Sequence, residues 1–384
     1  MLTNSINLKS FKIAKSKKII KQKLKLILEN KKNDLFKSLT TNYVDSYKIK
    51  NIKKIVGNND IRIIGMGGSI LGTKAIYDFL KHKIQRKFIF IDNLISSKIS
   101  NKNKSMTNLI ISKSGNTIET ISNVNILISK KEKNIFITGK KKNYLNTLAE
   151  KLKAEVIEHN NYIGGRYSVL SEVGMLPAQL MGLNPKKFRQ LNDLIKNRKF
   201  LDKLIINTSS ILFFSKRKFN SIILNYDHKS NNLFEWYKQL VAESLGKKSK
   251  GILPIISIMP KDNHSLMQFY LDGVKNNFFT FFSCNEKLSD KINKKKLLSS
   301  HKYLGSYDIN QIILNQQKAT EVVFNKKKIP FRSFELINRD EKTLGELFCF
   351  FILETILLGK ALNVNPFDQP SVELIKKETR KQFF

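Results

Sequence analysis

Short apolar runs alternate with longer amphipathic segments along most of this 384-residue chain. The first series of apolar runs predicts strands at 61–65, 87–92, 108–112, 134–138 and 154–159. The segments between them place apolar residues at helical spacing and predict helices. Short buried strands that alternate with helices are typical of a parallel sheet covered by helices. The first part of the chain is therefore predicted to form one α/β unit.

A polar stretch at 184–200 interrupts the alternation, which then resumes. The second series predicts strands at 221–226, 251–258, 278–283 and 329–337, and helices at 232–246, 264–273, 309–326 and 343–362. The fold class is thus α/β, with two units that are each a mostly parallel sheet flanked by helices. The expected divisions are a basic helical segment 1–60, a first domain 61–190, a second domain 200–363 and a C-terminal segment 364–384.

The net charge of +38 raises the possibility of a nucleic-acid partner. Lysine supplies 60 of the 69 basic residues, however, and the lysines are spread along nearly the whole chain. Lys, Asn, Ile and Phe all have AT-rich codons, so a biased genome would produce this composition in any protein. Aromatic residues do not alternate with the lysines as a stacking platform requires. We expect solvated surface lysines and no specific nucleic-acid site.

Other broad classes are disfavoured by the apolar runs and the cysteines. The longest apolar run, at 347–362, is interrupted by Glu354 and predicts a buried helix rather than a membrane span. Cys284 and Cys349 have no metal-binding spacing, and no disulfide can be inferred from them. A reducing cytoplasm is the plain interpretation.

The first candidate site is the sequence GMGGS at 65–69, between a predicted strand and a predicted helix. Backbone N–H groups at such a turn can bind a phosphate. The dinucleotide fingerprint would need glycine where Ile70 stands, and the P-loop would need Lys-Thr after Gly72, where Thr73-Lys74 stands. Both are rejected. A tight turn that needs small residues explains this stretch equally well.

The sequence ISKSGNTIET, at 111–120, joins the next strand to the next helix. It places the hydroxyl groups of Ser112, Ser114 and Thr117 within six residues, together with Lys113 and Gly115. Ordinary capping of the helix explains one of these hydroxyls but not three. A phosphate, with several acceptor oxygens and a helix N-terminus beside it, explains all of them. This stretch is predicted to bind an anion.

Arg166 stands beside two glycines in GGRYS, at 164–168, again between a strand and a helix. A guanidinium in this position can contact bound substrate. A salt bridge between this arginine and a nearby carboxylate is an equally good interpretation of the sequence.

The predicted helix at 232–246 carries a candidate base. Glu243 lies at the border of the helix's apolar stripe, and Gln239 lies one turn before it on the same side. A carboxylate edged by apolar surface suits a general base. The alternative is a boundary glutamate paired with Lys247, one turn further on. His264 stands at a predicted helix start, where a lone histidine is more often a cap or core residue than a catalyst. Gln369 precedes a helix that carries Lys376 and Lys377, which do not stand out in a lysine-rich chain.

Six segments in this order resemble the phosphoglucose isomerase family. They are GMGGSILG, SKSGNTIET, GGRYSVLSEVG, WYKQLVAESLGK, DNHSLMQFYLDG and FDQPSVELIKK, and they lie within residues 61–377. The resemblance implies two sugar-isomerase (SIS) domains. It also implies interconversion of glucose 6-phosphate and fructose 6-phosphate through an enediolate, without a metal or a redox cofactor. Alternatives are a phosphoglucose/phosphomannose isomerase with a wider pocket, and a non-catalytic SIS protein that binds sugar phosphates in regulation.

The resemblance also assigns expected roles to residues of this chain. Glu243 matches the base that moves the proton, and Arg166 matches the arginine that stabilises the intermediate. His264, from the neighbouring subunit of a homodimer, and Lys376 match the pair that opens the sugar ring. The matches to substrate-contacting positions are Gly68, Ser69, Ser112, Lys113, Ser114, Thr117, Gly165, Gln239 and Gln369. The departures from the family pattern are Asn116, Glu172, Ser371 and Ile375.

Overall fold

The computed structural model describes residues 1–29, 33–94 and 106–383. Its strands are β1 Ile6–Lys9, β2 Asp60–Gly65, β3 Phe88–Ile91, β4 Met106–Ser112, β5 Lys133–Thr138, β6 Glu155–Glu158, β7 Asn220–Asn225, β8 Leu253–Ile258, β9 Asn277–Cys284 and β10 Phe331–Leu336. Its helices are α1 Lys17–Glu29, α2 Asp34–Ser38, α3 Ile49–Val56, α4 Leu71–Phe79, α5 Ile118–Leu127, α6 Tyr144–Leu152, α7 Glu172–Leu180, α8 Pro185–Phe188, α9 Leu191–Leu194, α10 Arg198–Phe214, α11 Asn231–Leu245, α12 Met267–Asp272, α13 Ile309–Lys326, α14 Glu341–Ala361 and α15 Pro370–Lys381.

Two five-stranded sheets form the two α/β units. The first sheet has the order β3-β2-β4-β5-β6 and is parallel throughout. The second has the order β1-β10-β9-β7-β8, in which only β1 is antiparallel. The expected fold class is therefore confirmed. All carboxyl ends of the first sheet meet at one edge, which is where parallel α/β sheets place their ligands.

The N-terminal segment differs from the expectation that it is wholly helical. Ile6–Lys9 forms β1, which pairs with β10 at the edge of the second sheet. Ile6 and Leu8 alternate with polar neighbours and are both buried, as a half-buried strand requires. The alternation covers only four residues and is followed by the helical spacing of α1, so the sequence pattern did not reveal the strand. The domain boundaries themselves stay a prediction.

The helix α14 is the centre of the core between the two units. Its residues are buried almost without interruption from Thr343 to Gly359. Glu354, in the second half of this run, pairs with Arg332, and each side chain is about 1% exposed. This buried pair explains how an apolar helix accommodates a charge. No helix in the described parts of the chain is both long and apolar enough to cross a bilayer.

The helix α11 connects the two units at the site. It packs against α4 of the first unit and against β8 and α14 of the second. Its buried residues are Leu233, Phe234, Trp236, Tyr237, Leu240, Val241, Ser244 and Leu245. The apolar stripe expected for this helix is therefore present. Gln239 and Glu243 lie beside the stripe and face the carboxyl edge of the first sheet.

Candidate active site

The loop between β4 and α5 gathers the three hydroxyl groups that the sequence singled out. Ser112 Oγ lies 3.0 Å and Ser114 Oγ lies 3.4 Å from Thr117 Oγ1. Thr117 occupies the N-cap position of α5 but its side chain makes no capping hydrogen bond. The first-turn N–H groups of the helix are thus not satisfied by this side chain, and they adjoin the hydroxyl cluster. Hydroxyl donors and a helix N-terminus together suit a phosphate group.

Gly115 is required by the shape of this loop. Its φ is +64°, a left-handed conformation, and an added Cβ would lie 1.9 Å from Asn143 Oδ1. The loop is tied to the start of α6, because Tyr144 N donates to Asn116 Oδ1 at 3.0 Å. Asn116, a departure from the family pattern, therefore has a structural role here. The loop is fixed from two sides before any ligand binds.

Lys113, which the sequence predicts to bind an anion, contacts two backbone carbonyls. Its Nζ donates to Asn161 O at 2.8 Å and to Ile163 O at 3.0 Å. Partial burial lowers the pKa of this lysine. The ammonium group thus braces the segment that leads into the GGRYS sequence. It still lines the same cleft as Ser112, Ser114 and Thr117.

Two glycine-containing turns touch at the centre of the site. A Cβ added to Gly68 would lie 2.2 Å from Gly165 C. Gly68 O also accepts a hydrogen bond from Ser168 Oγ, at 3.4 Å. Gly68 is therefore needed for close backbone packing, which supports the tight-turn interpretation of residues 65–69. Ser69, directly after it, lines the cleft.

Arg166 is buried, 3% exposed, and faces the candidate base. Its Nη1 lies 3.0 Å from Glu243 Oε1. Gln239 Nε2 donates to the other carboxylate oxygen of Glu243 at 3.0 Å. The salt bridge that the sequence left open for Arg166 is thus present, and its partner is the candidate base itself. An arginine paired with the candidate base can also contact a substrate bound beside that base. The salt bridge and the substrate contact therefore do not exclude each other.

Glu243 does not pair with Lys247, so that alternative is wrong. Lys247 Nζ instead lies 3.1 Å from Asp368 Oδ1 and donates to Ser244 O at 2.9 Å. The Glu243 carboxylate is 24% exposed and its near neighbours are the polar groups of Arg166 and Gln239. The expectation of an apolar surround is therefore wrong, because the apolar stripe turns away from the cleft.

Arg166 also holds the segment that precedes α15. Its Nη1 donates to Gln369 Oε1 at 2.9 Å, and its Nη2 donates to the carbonyls of Pro366 and Asp368 at 2.8 and 3.0 Å. Nε donates to Ser244 Oγ at 2.8 Å. Every nitrogen of the guanidinium therefore has a partner, and its orientation is fixed. Gln369 is brought to the same site as Glu243.

His264 and Lys376 are the two predicted residues that lie outside this arrangement. His264 is exposed in a 3₁₀ turn at 261–264 and does not line the cleft of its own chain. Lys376 does line the cleft, but its side chain is 60% exposed and pairs with Glu373 at 2.7 Å. A single chain thus brings together Arg166, Glu243 and Gln369, but not His264.

The remaining departures from the family pattern lie away from the side chains that surround Arg166 and Glu243. Glu172 is buried at the start of α7, where its Oε1 accepts from Tyr43 Oη at 2.8 Å, and burial raises its pKa. Ser371 and Ile375 lie on α15, which has no buried residue. Glu172 therefore has a role in local packing, Ser371 and Ile375 are exposed, and none of the three lines the cleft.

The cleft has a volume of ≈ 890 Å³ and runs from the hydroxyl cluster to Glu243. Residues that line it and that sequence reasoning missed are Gly139, Lys141, Lys142, Asn143, Asn161, Tyr162, Phe367 and Glu373. Several follow β5 or β6, and their position after the carboxyl ends of parallel strands was the signal that could have found them. Among the described residues no group of three His, Cys, Asp or Glu side chains could hold a metal ion.

This fold is that of the SIS-type phosphosugar isomerases. A glucose-6-phosphate isomerase from Chlamydia trachomatis superposes with a TM-score of 0.68 at 19% identity, over 87% of this chain and 71% of that one. A hypothetical protein from Thermus thermophilus superposes with a TM-score of 0.84 at 21% identity, over 95% of both chains. At these identities the likeness concerns the fold.

The sequence matches narrow the class to one family. Residues 21–252 match the family model for phosphoglucose isomerase. Glucose-6-phosphate isomerase from Methanocaldococcus jannaschii is 34% identical, over 87% of this chain and 85% of that protein. The enzyme of the same name from Mycoplasmopsis pulmonis is 32% identical, over 91% and 88%. The chain therefore belongs to the phosphoglucose isomerase family, as its motifs indicated.

Proposed function

We propose that this chain reversibly converts glucose 6-phosphate to fructose 6-phosphate, a step of glycolysis and gluconeogenesis. The observation that carries the proposal is one cleft with a hydroxyl-lined loop at one end and the Arg166–Glu243 pair at the other. Such a cleft can hold a sugar by its phosphate while presenting the opposite end to a base and a cation. The names of the relatives point to the same reaction.

The reaction needs a proton moved between C2 and C1 of the open-chain sugar. In this proposal the Glu243 carboxylate takes the proton from one carbon and returns it to the next. Negative charge then develops on the two oxygens of the enediolate, and the Arg166 guanidinium stabilises it without reorganising, because its other contacts already fix it. Gln239 and Gln369 are assigned to orient the sugar beside these groups.

The phosphate is assigned to the other end of the cleft. Ser69, Ser112, Ser114 and Thr117 supply hydroxyl groups, and Gly68 and Gly165 allow the two turns to close around the site. This contact is remote from the reacting carbons, so it fixes the register of the sugar rather than the chemistry. The proposed reaction is carried by side chains of the protein alone, with no metal or redox cofactor.

A coupled assay on glucose 6-phosphate tests the proposal directly. We expect turnover of glucose 6-phosphate by the folded protein, measured through oxidation of a reduced nicotinamide after coupling enzymes phosphorylate the fructose 6-phosphate, cleave it and reduce the resulting triose phosphate. The same assay with mannose 6-phosphate separates a single-substrate isomerase from a phosphoglucose/phosphomannose isomerase. Tight binding of sugar phosphates without turnover of either substrate would instead favour a non-catalytic SIS regulator.

Ring opening is assigned to His264 and Lys376, with His264 supplied by the second subunit of a homodimer. The support is that His264 is exposed and outside the cleft of its own chain, whereas Lys376 lines it. We also propose a cytoplasmic location, which fits the substrate and the two free, buried thiols of Cys284 and Cys349.

Mixing two inactive variants tests the shared site. Glu243→Gln and His264→Ala subunits, exchanged in equal amounts, should recover about a quarter of wild-type activity, because half of the dimers gain one intact site. Each variant alone gives the baseline. Demonstrated subunit exchange without any recovery would show that His264 does not act across an interface.

A further inference from the structure

The loop that is assigned to the phosphate has a shortage of available positive charge. Lys113, its own cation, is held by the carbonyls of Asn161 and Ile163. Arg166 is held at the other end of the cleft by Glu243 and its neighbours. A sugar phosphate is close to a dianion near neutral pH. An incoming phosphate therefore needs cations that face this end of the cleft and have no other partner.

Lys141 and Lys142 meet this description. Both are exposed and both line the cleft, on the turn between β5 and α6. In the described parts of the chain no carboxylate lies within ion-pair distance of either lysine. The acids that line the cleft, Glu243 and Glu373, already have cationic partners. These two ammonium groups are thus free to attract an incoming anion.

The turn that carries the two lysines is joined to the phosphate loop. Gly139 N donates to Lys113 O at 3.1 Å, and Leu145 N donates to Gly115 O at 3.2 Å. These hydrogen bonds lie before and after the lysines in the sequence. Backbone hydrogen bonds therefore place the two lysines beside the hydroxyl cluster.

The backbone of the turn is also held from within. Asn143 Nδ2 donates to Lys141 O at 2.8 Å, and Asn146 Nδ2 donates to the same oxygen at 3.1 Å. Asn143 Oδ1 in turn accepts from Asn146 N at 3.0 Å and caps α6. The backbone of the turn is thus fixed, whereas the lysine side chains are long and flexible. Such ammonium groups suit long-range attraction of a charged ligand rather than a contact of defined geometry.

We propose that Lys141 and Lys142 form a cationic rim that captures the phosphate of the substrate and delivers it to the hydroxyl cluster. This inference rests on the proposed function, since it concerns the same site and the same sugar phosphates. Focused positive potential raises the local concentration and association rate of an anionic substrate. Because both side chains are exposed, the effect is screened by salt.

The test compares two double substitutions that remove the same charge. Lys141→Gln/Lys142→Gln changes the rim after β5, and Lys130→Gln/Lys131→Gln changes an exposed pair just before β5, at the opposite edge of the same sheet. At about 10 mM ionic strength the rim variant should lose roughly tenfold in kcat/KM for glucose 6-phosphate, mainly through KM. The control variant should lose less than about twofold.

Salt separates capture from a direct contact. At about 0.5 M salt the Debye length falls to roughly 4 Å, so the rim variant should come within about twofold of wild type. Equal losses in the two variants would mean that only the net charge of the protein matters, and would overturn the rim. A loss in the rim variant that persists at high salt would also overturn capture, because it would indicate a direct or structural role.

Equilibrium titration keeps this test separate from the proposed function. The same variants are titrated with glucose 6-phosphate and with inorganic phosphate at both salt concentrations. An inactive wild type that shows salt-dependent, rim-dependent phosphate affinity would refute the isomerase and support the rim. An active wild type whose affinity and kcat/KM ignore Lys141 and Lys142 would support the isomerase and refute the rim.

Discussion

The two ends of the cleft are built in opposite ways. The phosphate end is a contiguous loop, 112–117, whose hydroxyl groups contact one another across at most five residues of sequence. The reaction end joins Arg166 to Glu243 and to Gln369, and the last of these lies 203 residues away along the chain. In the proposed assignment, the hydroxyl contacts to the phosphate thus come mainly from one strand–helix junction. The chemistry depends on how the two units and the C-terminal segment pack.

Glu243→Gln should have the largest effect at the reaction end. The amide keeps the size of the side chain and much of its hydrogen bonding but cannot accept the proton. We expect kcat to fall by about 10²–10⁴, with sugar-phosphate affinity largely retained, because the phosphate contacts are remote. Steady-state kinetics and titration of the substrate measure the two quantities separately.

Glu235→Gln is the matched control on the same helix. Glu235 pairs with Lys238 on the outer side of α11, away from the cleft. It should leave kcat within about twofold of wild type and cost less than about 1 kcal/mol of stability. Near-normal turnover by folded Glu243→Gln would remove Glu243 from the proposed mechanism.

Gly115→Ala should damage the phosphate end instead. The new Cβ would enter a left-handed conformation and overlap Asn143 Oδ1, so the loop or the cap of α6 must move. We expect a loss of about 2–3 kcal/mol in the free energy of unfolding, and a fall of roughly tenfold or more in substrate affinity. Chemical denaturation and substrate titration measure these effects.

Gly57→Ala separates backbone strain from the shape of the loop. Gly57 has a φ of +55° at the end of α3, but an added Cβ there meets nothing within 4 Å. Its ψ of −134° suits only glycine, so Gly57→Ala should cost about 1–3 kcal/mol of stability and leave substrate affinity unchanged. If Gly115→Ala behaved in the same way, the loop would not be the phosphate site.

The same contrast explains what the sequence could predict. The hydroxyl cluster, the strand before it and the helix after it follow from neighbouring residues, and the structure has all three. The partners of Lys113 and Lys247 could not be predicted, because the carbonyls and the carboxylate that they contact are brought near only by packing. The strand β1 was missed for a related reason, since its pairing partner β10 lies more than 300 residues away.

The family resemblance supplied what local pattern could not. It singled out Gln369 and Lys376, which composition alone left among many similar residues. The rim lysines remained hidden because three successive lysines in a lysine-rich chain carry no distinguishing signal. Only the turn that joins them to the phosphate loop separates Lys141 and Lys142 from the lysines elsewhere on the surface.

Low pH should lower the stability of the protein through a buried histidine near the phosphate end. His159 follows β6 and is fully buried, and its Nε2 has no hydrogen-bond partner among the described residues. Burial lowers its pKa to about 4, with the positive charge of Lys113 acting in the same direction. The unfolded chain therefore binds a proton near pH 6.5, while the folded chain does not until about pH 4.

The stability contributed by neutral His159 is thus present above pH 6.5 and is lost as the pH falls below it. Between pH 7 and pH 5 this residue alone should remove about 2 kcal/mol from the free energy of unfolding. His159→Gln has no proton to gain, so denaturation curves of this variant should depend less on pH over that interval. If the free energies of unfolding of wild type and His159→Gln changed equally with pH, His159 would not be the group that makes the protein acid-sensitive.

Ser244→Ala should give the smallest effect, and it tests how the reaction end is held together. Ser244 is buried on α11 beside Glu243, and its Oγ accepts from Arg166 Nε and lies 2.8 Å from Tyr167 Oη. Alanine leaves one donor of the guanidinium without its acceptor, while the contacts to Glu243, Gln369 and Pro366 remain. A hydrogen bond to a charged group contributes about 1.5–3 kcal/mol, and the remaining contacts should reduce the loss to roughly tenfold in kcat.

The loss should appear in kcat rather than in KM, because Ser244 touches the arginine assigned to the enediolate and nothing at the phosphate end. Ser210→Ala is a suitable control, since Ser210 is a buried serine on α10 whose Oγ donates to Ile206 O at 2.7 Å. Both variants remove one buried hydroxyl, and although Ser244→Ala should cost more stability because it leaves a charged donor unpaired, only Ser244→Ala should lower kcat. A change in KM with kcat unaltered would show instead that Ser244 acts on substrate binding, and that the two ends of the cleft are less separate than their construction indicates.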